Sequence, residues 1–70
     1  MKEKDTYELW FLGDFGDEGP KNRETYNRLL IKAGELMWCG REAGLTVGGI
    51  EILHRSGNEA ETVYDFNFAD

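Results

Sequence analysis

The chain has 70 residues, with eight Lys and Arg against fourteen Asp and Glu for a formal net charge of −6. That length holds one domain, residues 1–70, with a thin core, and the negative charge opposes generic attraction to DNA, RNA or anionic lipid. The lone Cys39 makes no internal disulfide, which argues against a cystine-stapled secreted scaffold and points to the cytoplasm. No apolar run reaches the length of a signal peptide or a membrane span.

Residues 6–15 are rich in aromatic and apolar side chains and predict a first strand. Its alternation puts Tyr7, Leu9, Phe11 and Phe15 on one face and Glu8, Trp10, Leu12 and Asp14 on the other. Gly13, Gly16, Gly19 and Pro20, with Asp14, Asp17 and Glu18 between them, then read as a tight acidic loop.

A long helix is expected to start at Pro20 or Asn22, because Pro suits a first helical turn and Asn an N-cap. Tyr26, Leu29, Leu30, Ala33, Met37, Gly40 and Ala43 recur at helical spacing and form the core stripe. Gly44 supplies a left-handed C-cap, with Leu45 folding back onto the last turn. Gly34 and Gly40 are expected where helix and sheet approach closely, and Ile31 and Trp38 lie on a second apolar line beside Glu35. That second line either widens the core or is exposed.

Residues 46–55 predict a second strand with Ile50 and Ile52 inward, and Ser56, Gly57 and Asn58 predict the turn after it. Residues 60–68 alternate most clearly, with Thr62, Tyr64, Phe66 and Phe68 on one face and Glu61, Val63, Asp65 and Asn67 on the other. The expected fold is therefore α+β, in the order β-α-β-β: one long helix packed on a three-stranded, mainly antiparallel sheet in spatial order 1-3-2, the aromatic third strand central.

Charge is divided along this plan. Residues 1–19 carry two lysines against six carboxylates, residues 45–70 one arginine against five, and the helical segment five basic residues against three acidic. One helix covers one side of such a sheet. The other side is expected to show Glu8, Trp10, Leu12, Asp14, Glu51, Leu53, Arg55, Glu61, Val63, Asp65 and Asn67. An apolar centre ringed by polar groups is a common form of binding surface. It is open to three readings: ordinary core under a terminal segment, a homodimer closed sheet to sheet, or the seat of a partner carrying Lys and Arg.

No catalytic set accompanies it. His54 and Cys39 stand alone, without the positioned base and orienter that a nucleophile requires, so both are read as structural and the protein as not an enzyme. The segment from Gly13 to Gly19 lacks the spacing of a calcium loop, and neither metal nor cofactor is expected. Lys21, Arg23, Arg28, Lys32 and Arg41 are interleaved with Glu24, Glu35 and Glu42, a pattern read as a solvated helix face rather than a nucleic-acid site.

A chain that starts at Met1 and holds one small acidic domain without a catalytic centre reads as a complete small open reading frame. By size, charge and architecture it resembles the small phage-encoded inhibitors of host defence, anti-CRISPR proteins above all, and more loosely the DNA-mimic inhibitors. The resemblance implies a stoichiometric inhibitor in the host cytoplasm that binds a basic or nucleic-acid-binding host protein and no nucleic acid or membrane directly. Its electrostatic contacts would come from Glu8, Asp14, Asp17, Glu18, Glu51, Glu59, Glu61 and Asp65, with Trp10 and Leu53 as anchors. The alternative is an intracellular adaptor or assembly subunit that homodimerises through its sheet.

Overall fold

The computed structural model describes residues 5–69. Met1, Lys2, Glu3, Lys4 and Asp70, counted above among the N-terminal segment and the charges, lie outside the described residues. The elements are β1 (Asp5–Phe11), β2 (Asp14–Pro20), α1 (Arg23–Glu42), β3 (Gly49–Ser56) and β4 (Glu59–Asn67). All neighbouring strands are antiparallel, in the order β2-β1-β3-β4.

The class is α+β, but the expected three strands in the order β-α-β-β are corrected to four in the order β-β-α-β-β. The segment read as an acidic loop is β2. It forms a hairpin with β1 through a two-residue turn in which Leu12 and Gly13 both take positive φ, 53° and 84°. Tight hairpins favour such turns because their twist matches that of the strands. Leucine at φ 53° is sterically unfavourable, so only Gly13 marked the turn in the sequence.

The expected spatial order is corrected as well. The pattern of residues 60–68 predicts a central strand, whereas β4 is an edge strand and β3 lies beside β1 in the middle. Ile50 and Ile52 of β3 are fully buried, while Glu59, Glu61 and Asp65 of β4 are exposed, as suits an edge that must discourage further pairing.

Two bulges re-aim side chains. Leu9 pairs with Asp17 but Trp10 pairs with Phe15, so Gly16 is the extra residue and Phe15 joins Trp10 rather than the helix side. On the opposite edge Ile52 pairs with Tyr64 but Leu53 with Thr62, so Val63 is extra. Thr62 therefore shares the Leu53 face and Glu61 the His54 face, the reverse of strict alternation from Tyr64.

The helix has the expected ends. Asn22 Oδ1 accepts from the Thr25 backbone N–H at 2.8 Å, an N-cap. At the other end the Leu45 N–H donates to the Gly40 carbonyl and the Gly44 N–H to that of Arg41, with Gly44 at φ 78°, a Schellman closure. Leu29 and Ala33 pack on Leu9, Ile50, Ile52 and Phe68, with Tyr26, Leu30, Leu36 and Met37 around them. Ala43, expected in the stripe, is exposed.

Of the two helix glycines, only Gly40 marks a close approach. A Cβ there would lie 2.5 Å from the Phe68 ring and 3.1 Å from Leu45, whereas one at Gly34 would meet nothing within 4 Å. Phe68 is itself wedged edge-on against Phe66 and Phe11, so it has little room to retreat. Gly40→Ala is expected to destabilise the fold by about 1–3 kcal/mol despite its better helix propensity. Gly34→Ala is expected to stabilise it by about 0.5–1 kcal/mol. Urea unfolding of dilute protein checks both.

Candidate functional site

α1 packs on β1, β2 and β3 from one side. On the other side the strand registers lay side chains out in rows: Phe15, Trp10, Glu51 and Asp65 in one, and Glu18, Glu8, Leu53 and Thr62 in the next. Arg55 follows in a third row, between Thr6 and Ala60.

The centre is a polar node. Glu8 is only 7% exposed even though no helix or strand among the described residues covers this face, because its neighbours enclose it. Arg55 Nε donates to Glu8 Oε2 at 2.8 Å and Trp10 Nε1 donates to Glu8 Oε1 at 3.1 Å. The Arg55 hydrogen bond holds the Glu8 carboxyl below its ordinary value of 4.5, opposed by burial and helped by the Trp10 bond and the Arg55 charge. The same contact raises Arg55. One carboxylate thus fixes two side chains from different strands, and Trp10 is held in one orientation.

Trp10 also meets Phe15 edge-on, with centroids 5.6 Å apart, a geometry that adds attraction beyond burial. Phe15 is 51% exposed. Beside this pair a shallow cleft of about 450 Å³ runs between the β1–β2 turn and the segment before β3, lined by Trp10, Leu12, Val47, Glu51 and Asp65 among others.

Of the residues assigned from sequence, the structure brings Glu8, Trp10, Glu18, Glu51, Leu53 and Asp65 onto this face. It separates the others. Asp17 is on the helix side, bonded by Arg28 and 3.8 Å from Lys32 Nζ. The neighbouring Glu18 N–H, followed by those cations, keeps its carboxyl low against the opposing effect of burial. Asp14 pairs with Phe11 and Glu61 with His54, both in helix-side rows, and Glu59 closes the β3–β4 hairpin opposite Ser56. The sequence reading missed Phe15 and Thr62, which only the bulges deliver here. It also missed the Glu8 pairing, whose one signal was Arg55 on the same expected face.

Cys39, read from its sequence context as structural, is exposed rather than packed in the core. His54 Nε2 is 3.7 Å from Asp5 Oδ1 and has no hydrogen-bond partner among the described residues, while Nδ1 is 3.9 Å from Glu61 Oε1. Among the described residues no cluster of three His, Cys, Asp or Glu could hold a metal ion, and no helix is long and apolar enough to cross a membrane. No family model, curated protein or solved structure matches the chain.

Because the folded Glu8 carboxyl is more acidic than the unfolded one, its contribution is complete above the unfolded value and is lost as pH falls through the folded value. Glu8→Gln is expected to cost about 1 kcal/mol at pH 7. The gap to the parent protein should close as acid protonates Glu8 in both states, as denaturant unfolding at stepped pH would read.

Proposed function

We propose that this chain is a non-catalytic, cytoplasmic protein-binding domain that masks a cationic, nucleic-acid-binding surface of a host protein with its uncovered sheet face, after the manner of the small phage-encoded inhibitors it resembles. The observation that carries the reading is the row Phe15, Trp10, Glu51, Asp65. Glu51 and Asp65 are direct cross-strand partners, and among the described residues neither is in an ion pair. Like charges directly opposite one another weaken a sheet. A Lys- or Arg-rich partner would relieve that repulsion, so the free domain bears a cost that the complex recovers.

The aromatic pair supplies what the carboxylates cannot. Trp10 is held by Glu8 and half-buried, and Phe15 stands beside it half in solvent. A rigid aromatic anchor loses little side-chain freedom on binding, and anchors of this type concentrate interface energy. The surrounding carboxylates steer a basic surface toward it. Glu18 extends the acidic rim toward the β2 edge.

The test immobilises the protein and challenges it with nuclease-treated host lysate. A nucleic-acid-binding protein should be retained, and excess duplex DNA or raised salt should release it. The double variant Glu51→Lys with Asp65→Lys, shown by circular dichroism to be folded, should retain at least ten-fold less. Undiminished capture by that folded variant sinks the proposal. Neutralising the pair, Glu51→Gln with Asp65→Asn, should raise stability by about 0.5 kcal/mol while weakening capture, opposite signs that a merely solubilising role would not produce.

A further inference from the structure

The cleft beside Trp10 combines apolar walls with a cationic requirement. Its apolar walls are Trp10 of β1, Leu12 of the β1–β2 turn and Val47 of the segment before β3, the last 69% exposed. Its charges are Glu51 and Asp65, direct cross-strand partners. The walls are fastened from behind: the Leu12 N–H donates to the Gly49 carbonyl at 2.7 Å, the Phe68 N–H donates to the Gly48 carbonyl at 2.9 Å, and Trp10 is held by Glu8. An occupant therefore meets a site that is already formed, which lowers the ordering cost of binding.

We infer that this cleft takes a single arginine side chain of the protein partner, an inference that rests on the reading of the sheet face as a partner surface. The guanidinium bridges Glu51 and Asp65 and lies against the Trp10 indole, while its aliphatic stem runs along Leu12 and Val47.

Charge and shape together select that occupant. Glu51 and Asp65 are in no ion pair among the described residues, and Arg55 on the same face is committed to Glu8, so the cation has to come from outside. A hard metal ion takes about six or more oxygen ligands, which two carboxylates between apolar walls do not supply. A lysine ammonium is a compact, strongly hydrated point charge, whereas a guanidinium is planar, weakly hydrated and stacks on aromatic faces. Side chains directly opposite on antiparallel strands have Cβ atoms about 5 Å apart, a spacing that the forked donors of one guanidinium can bridge. Phe15, which is exposed, and Leu53, in the next row, flank the cleft with apolar surface. A protein covers that surface; a free guanidinium compound leaves it open.

Trp38→Phe, an exposed change on the helix, leaves Trp10 as the only tryptophan and makes its fluorescence a reading of the cleft. In the full chain with that background, a blocked Gly-Arg-Gly peptide titrated at fixed ionic strength should give a saturable change in the millimolar range. The Gly-Lys-Gly peptide should bind about five-fold more weakly, and the neutral citrulline analogue should not bind. Glu51→Gln should weaken the arginine peptide about ten-fold. Glu18→Gln, an equal loss of charge on the same face outside the cleft, should leave it within about two-fold. No saturable response to the arginine peptide overturns the inference, as does equal binding of the lysine peptide or an equal loss from Glu18→Gln. Lysate capture reads the wider proposal separately. Capture without arginine-peptide binding overturns the arginine cleft alone, whereas arginine-peptide binding without capture overturns the nucleic-acid-binding target and supports the cleft.

Discussion

The antiparallel pairing of β1 with β3 is the constraint on which the rest of this structure depends. β1–β2 and β3–β4 are each local hairpins, closed by two-residue turns, and a lone hairpin is marginal in water. Only when β1 and β3 meet, across the whole helix in sequence, do Leu9, Ile50 and Ile52 form one buried floor for Leu29 and Ala33. The join is also where the charged network sits: Arg55 of β3 reaches Glu8 of β1 at 2.8 Å on the opposite face. The central pairing is thus held by apolar packing on the covered side and by a charge-assisted bond on the open one.

The open side follows from economy of elements. A single helix of 20 residues can cover one face of four strands and no more. No second layer among the described residues covers the other face, where the Arg55 guanidinium and the Trp10 indole surround Glu8. That solution keeps a large aromatic surface ordered at the exterior. Glu51 and Asp65 beside it, in no ion pair among the described residues, run against sheet stability.

Much of the covered side was legible in the residues. The helix ends followed from Asn22 and Gly44, and Leu29, Ala33 and Gly40 from their 3.6-residue spacing. The inward Ile50 and Ile52, and the Gly57 turn with φ 61°, were equally plain. β2 was not, because Asp14, Gly16, Asp17, Gly19 and Pro20 are poor strand formers. It is a strand because β1 offers it an edge and because Arg28 and Lys32 of the helix bind Asp17. Of the proposed surface, Trp10, Glu51, Leu53 and Asp65 could be placed by alternation alone, whereas Phe15 and Thr62 could not, nor could the turning of Glu61 to the helix side. A bulge of one residue reverses every side chain beyond it.

By itself the sequence determined the class of fold, the helix and its caps, the apolar residues of the core, and the acidic character of everything outside the helix, since each depends on local propensity or periodic spacing. Only the tertiary structure decided the number of strands, their order and which carboxylates stand together. Those depend on which edges meet and where a register slips, and pairings between residues distant in the chain leave no local pattern to read.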